Sequence, residues 1–91
     1  MPEKARFVRC KVSLGFFDTE FYVVIGSSSA FVDRGNVKVA QTPEQGSEIE
    51  GEVRAYLVNE VQDQALIELP GEPVVGGLRT WVPKSLLATA T

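Results

Sequence analysis

The sequence predicts an all-β protein: a small, partly open barrel built from a three-stranded meander that occurs twice. Three observations carry that expectation. Apolar residues recur with period two rather than 3.6 through most of the 91 residues, the spacing of half-buried strands. Clusters of Gly, Asp and Pro separate the runs at turn-like intervals. The chain also repeats itself. Val8-Arg9-Cys10, Val12, Asp18 and Phe21 return 45 positions later as Val53-Arg54-Ala55, Leu57, Asp63 and Leu66. Ala30-Phe31-Val32-Asp33-Arg34 returns 50 positions later as Thr80-Trp81-Val82-Pro83-Lys84. A period in this range marks repeated supersecondary structure.

Each element follows in order. In the first strand Val8, Cys10, Val12 and Leu14 share one face, with Phe7, Arg9, Lys11 and Ser13 on the other; Val53, Ala55 and Leu57 are the matching inner face of the second segment. Phe16-Phe17-Asp18-Thr19 turns the chain into Glu20 to Ile25, and Val61-Gln62-Asp63-Gln64 turns it into Ala65 to Leu69. Gly26 to Ser29 closes a short hairpin into Ala30-Phe31-Val32, whereas Pro70 to Gly77 reads as a longer loop before Arg79 to Val82. Asp33 to Val37 and Pro83 to Leu87 each suit a single helical turn, tucking Val37 or Leu87 under the sheet. Val32 and Val82 are placed in the core. The expected organisation is one domain, residues 1–91, made of repeats at about 5–40 and 50–90 joined by a polar linker at 41–51.

From Gly51 onward, a strand with Tyr56, a hairpin, Ala65 to Leu69, a loop and then Trp81-Val82-Pro83-Lys84-Ser85-Leu86-Leu87 resemble an SH3-like barrel, whose last strands are commonly joined through an apolar-Pro-x-Ser/Asn-apolar turn. The resemblance covers residues 51–88, and the first copy departs from it with Asp33 in place of the proline. The same half is similar to the plasmid-borne trimethoprim-resistant dihydrofolate reductases, which would imply an enzyme whose site forms on a symmetry axis. Their pore-lining Val-Gln-Ile-Tyr run is Arg79-Thr80-Trp81-Val82 here, so the activity does not carry over.

Composition narrows the function classes. Hydrophobic residues are 44% and charged residues 23%, an ordinary globular balance. A net charge of −3 runs against general nucleic-acid binding, which needs a clustered positive excess. Lys4, Arg6, Arg9 and Lys11 do gather at the start, opposed by Glu44, Glu48, Glu50, Glu52, Glu60, Asp63, Glu68 and Glu72 in the middle. The absence of histidine removes the usual base for Ser or Cys nucleophiles and the commonest metal ligand. Cys10, alone, reads as a core hydrophobe. Ser27-Ser28-Ser29 reads as turn chemistry, as do Asp18 and Asp63. No cofactor, metal ligand or catalytic residue is expected. With no signal-peptide pattern and no long apolar run, the expected setting is cytoplasmic and without a membrane span.

The remaining signal is apolar residues where a single-layer barrel leaves them wet. Phe21, Val23 and Ile25 alternate with Tyr22 and Val24, and Phe7 and Tyr56 fall on outer faces. Either the other meander covers this strand or another chain does. The comparison of Val23 with Glu68, its counterpart at 45 positions, favours the second. The expectation is a non-enzymatic interaction or assembly module, self-associating as a homo-oligomer, by preference a dimer, or docking another protein, through Phe21, Val23, Ile25, Phe7 and Tyr56. Trp81 and Arg79 form a further candidate binding pair. Single-stranded nucleic-acid binding through Arg6, Arg9, Lys11, Phe7 and Tyr22, and the symmetry-axis enzyme, are the alternatives.

Overall fold

The computed structural model describes residues 4–88, and the chain termini, including the last two residues of the expected second repeat at 50–90, lie outside the described residues. Eight antiparallel strands form one curled sheet, a half-barrel, with two 3₁₀ turns and no α-helix among the described residues. The strands are β1 (Lys4–Leu14), β2 (Glu20–Ile25), β3 (Ser28–Asp33), β4 (Val37–Lys38), β5 (Ile49–Val61), β6 (Gln64–Glu68), β7 (Gly71–Val75) and β8 (Arg79–Pro83). Their order across the sheet is β7-β3-β2-β1-β5-β6-β8, with β4 on β5.

The sequence chemistry explains the joints. Asp63 and Gln62 form a two-residue hairpin between Val61 and Gln64, with Gln62 in the left-handed region at φ 53°. The 3₁₀ turns fall at Arg34–Asn36 and Lys84–Leu86, and Pro83 precedes the second, where its missing N–H leaves no bond unmade. These turns return the chain to the sheet centre: Val37 pairs with Val53, and Leu87 bridges Val8. The segment 70–77, expected as a loop, instead contains β7, which leaves the β6–β8 hairpin to pair with β3. Only three residues then separate β7 from β8, so the two ends of the strand order are drawn together without forming a ladder. The ends are fastened by other bonds. The Leu69 N–H donates to the Leu78 carbonyl at 2.8 Å, and the Ser27 N–H donates to Thr80 Oγ1 at 3.3 Å. The Ser28 hydroxyl donates to the Gly76 carbonyl at 3.2 Å.

The core lies on the concave side. Val8, Val12, Val23, Ala30, Val32, Val53, Ala65, Ile67 and Val82 are fully buried, with Cys10, Phe21, Ile25, Ala55 and Leu69 nearly so. Val32 and Val82 occupy the expected places, and Val37 and Leu87 pack partly buried against the cluster. The phase of β2 corrects the sequence reading. Phe21, Val23 and Ile25 point into the core, at 4%, 0% and 3% exposure, rather than onto an outer face. They are this chain's own interior and present nothing to a partner.

The physical reason is one extra residue. β5 carries a β-bulge between Leu57 and Asn59, so Leu57 pairs with Ile67 while Asn59 pairs with Leu66. Val82 faces Ala65 across the β6–β8 pair, as Val32 faces Phe21 across β2–β3. The inward series of β6 is therefore Ala65, Ile67 and Leu69, lying 44 rather than 45 positions after Phe21, Val23 and Ile25. Setting Val23 beside Glu68 compared an inward side chain with an outward one, and a one-residue slip in a strand inverts every face.

Candidate functional site

With β2 rephased, its outer face carries Tyr22 and Val24. Tyr22 pairs with Ser13 on β1 and with Phe31 on β3, and Phe31 in turn faces Glu72 on β7. The β1–β2 turn brings a third ring to this row: the Phe31 centroid lies 5.2 Å from that of Phe16 and 5.4 Å from that of Tyr22. Both pairs are tilted, within the separation range in which aromatic edges and faces attract. Phe16 is held there by its backbone N–H, which donates to the Glu20 carboxylate at 3.1 Å. Its side chain is 84% exposed and that of Phe17 70%, an unusual state for residues worth about 1.5–3 kcal/mol each on burial.

Opposite this row the linker folds back. A turn closed by the Ser47 N–H on the Glu44 carbonyl at 3.0 Å carries Gln45 to Glu48 along Ser13 and Leu14. The aromatic row, Leu14, Val74 and this turn enclose a cleft of about 870 Å³, within the size range of ligand pockets. Among the described residues no lysine or arginine lines it, and Glu48 is the one charged residue that does. The chain's one thiol lies elsewhere: burial, helped by the Glu50 and Glu52 carboxylates, pushes Cys10 up to about 12, leaving it protonated and unreactive at neutral pH.

The expected site residues are scattered by comparison. Phe7 is half-buried on the outer face of β1, opposite Arg54, with the Lys38 ammonium 4.0 Å above its ring. Tyr56 is half-buried between Ala5 and Glu68. Trp81, 45% exposed, lies across from Leu66 and borders a shallow recess of about 280 Å³ with Val61 to Gln64. Arg79 is paired with Glu68 at 2.8 Å. Trp81 and Arg79 thus share β8's outer face but not the cleft. Tyr22, named among the nucleic-acid candidates, is the one such residue that lines it.

The basic start of the chain is partly matched by its neighbours. Lys11 forms an ion pair with Glu50, and Arg9 stands in register with Glu52, the opposite-charge cross-strand arrangement that stabilises sheets. Arg6 donates to the Ala88 carbonyl at 3.0 Å. Part of the charge asymmetry along the sequence is therefore folded against itself through Lys11 and Glu50. Among the serines, Ser27 and Ser28 bind Thr80 and Gly76, and the buried Ser29 hydroxyl has no partner. Among the described residues no group of three or more His, Cys, Asp or Glu side chains could hold a metal, and no helix is long and apolar enough to cross a membrane.

Sequence reasoning passed over Phe16, Phe31 and Glu48. The available signal was Phe16-Phe17 inside a turn flanked by Gly15 and Asp18, where polar residues are the rule. Comparison of the chain with protein-family models, with curated proteins and with solved structures returned no match.

Proposed function

We propose that this protein is a non-enzymatic interaction module that binds an extended segment of a partner protein in the aromatic cleft. The observation that carries the reading is the row of Phe16, exposed, with Phe31 and Tyr22, half-buried, along one cleft. Aromatic side chains contribute large contact area at little entropic cost, which is why they anchor interfaces. The fold assigned with this function is an SH3-like barrel in one domain of two repeats, residues 5–40 and 50–90, joined by 41–51. The repeat is supported by the reciprocal closures Val37 on Val53 and Leu87 on Val8.

The test is selection of a random twelve-residue displayed peptide library on the full chain, with counter-selection on the Phe16→Ser, Phe31→Thr double variant. Both positions lie outside the core, so circular dichroism should find the variant folded. Peptides that bind the protein and lose at least about tenfold in affinity for the variant, as truncation of interface anchors does, support the reading. Peptides that bind both alike, or no enrichment at all, overturn it.

A further inference from the structure

We infer that the cleft selects a cationic segment, one in which lysine or arginine alternates with aliphatic residues. The inference rests on the interaction reading above and adds the partner's chemistry. Its ground is the charge around the rings. Glu48 lines the cleft and Glu44 closes the turn that forms one wall. Glu72 stands in register with Phe31. All three are exposed, and none belongs to an ion pair among the described residues. Glu20 is already engaged by the Phe16 N–H. Among the described residues no lysine or arginine lines the opening, and Lys11, the cation whose charge is felt at Glu48, is already paired with Glu50.

Rings and carboxylates act in the same direction. An ammonium or guanidinium over a ring face is attracted by the ring quadrupole, and the same group can donate charge-assisted hydrogen bonds to a neighbouring carboxylate. Lys38 over the half-buried Phe7 ring at 4.0 Å, and Arg34 over the buried Phe21 ring at 4.3 Å, show that this chain already pairs cations with ring faces elsewhere. An acidic segment would meet Glu44, Glu48 and Glu72 as like charges, and the net charge of −3 would slow its approach. The floor crosses β1, β2 and β3, roughly 10 Å at about 4.8 Å per strand, so it accommodates a short extended stretch with a few side chains rather than a helix bundle or a flat surface.

The experiment reads the peptides selected from the twelve-residue library above. Expected is an excess of Lys and Arg over the unselected library. For a representative peptide, Glu48→Lys combined with Glu72→Lys should weaken binding roughly tenfold, two reversed exposed charges at ordinary surface strength. Raising salt from about 50 to 500 mM should weaken binding several-fold by screening. Cleft-dependent peptides with no cationic excess, or with affinities unmoved by charge reversal, overturn this inference and leave the interaction reading standing. Failure to obtain any cleft-dependent peptide overturns both. Concentration-dependent self-association in sedimentation, abolished by Phe16→Ser with Phe31→Thr, would assign the cleft to a second copy of this chain and overturn the inference likewise.

Discussion

Replacing Val23 with Glu separates an inward β2 from an interfacial one. Val23 is fully buried, in register with Val12 on one side and Ala30 on the other, and Ala30 is backed by Pro73. A carboxylate there has no cation in contact, so it enters protonated. At pH 7 that costs about 3.7 kcal/mol for an ordinary pKa of about 4.3, at about 1.36 kcal/mol per unit. The unsatisfied acid group adds about 1–3 kcal/mol, and fitting the longer side chain about 1–3 more. The total, about 6–10 kcal/mol, is comparable with the whole stability of a small domain, about 5–15 kcal/mol. The protein should be largely unfolded at pH 7, by far-UV circular dichroism and urea titration, and not a folded monomer. The sign of the pH effect follows. The introduced group's folded pKa is raised, so its penalty is absent at low pH and grows as pH climbs above about 4.3. Relative to the unmodified protein at each pH, the variant should recover about 3 kcal/mol at pH 4. The neighbour supplies the control: Val24→Glu, on the outer face and half-exposed, should change stability by less than about 1 kcal/mol. A Val23→Glu protein with an unchanged urea midpoint and only an altered sedimentation coefficient would refute the inward phase of β2.

The other expectations concern single groups. With Cys10 raised from 9.0 to about 12 by burial, its folded form keeps the proton. Its contribution is fully present below about pH 9 and is lost as pH rises toward 12, so the unmodified protein should lose stability above pH 9 faster than Cys10→Ala, by up to about 1.4 kcal/mol per pH unit. Iodoacetamide at pH 8 should label the native thiol at a rate lower by on the order of a thousandfold than in the unfolded chain. A β-carbon on Gly76 would lie 2.3 Å from the Ser27 carbonyl oxygen, whereas one on Gly77 meets nothing within 4 Å, although both have φ near +74°. In thermal melts Gly77→Ala should cost about 1–2 kcal/mol, and Gly76→Ala distinctly more. The Ser29 hydroxyl is buried without a partner, while that of Ser28 donates to Gly76. Ser29→Ala should be neutral or stabilising and Ser28→Ala should cost about 1 kcal/mol in urea titrations.

Local chemistry was enough to determine β1, β2, β3, β5, β6 and β8, though not β4 or β7, together with the hairpins at Asp18 and Asp63, the 3₁₀ turns and the inner faces of β1 and β5. Alternation and turn residues act over a few positions, and Val8, Cys10, Val12, Val53 and Ala55 could be placed from them alone. The face of β2 could not. Phe21-Tyr22-Val23-Val24-Ile25 is apolar at every position, so alternation carries no sign, and the sign borrowed from the second segment was inverted by a bulge at Val58 that no local pattern marks. Tertiary structure also decided the cleft. Phe16, Tyr22, Phe31 and Glu48 come from a turn, two strands and the linker, and they meet only because β1, β2 and β3 lie side by side while residues 45–48 fold back along Ser13 and Leu14. The pairing of Lys11 with Glu50 is of the same kind, since residues 39 positions apart become neighbours only through the β1–β5 register. Patterning specifies which side of a strand is dry; contact between distant segments depends on register, and register is set by the packing of the whole sheet.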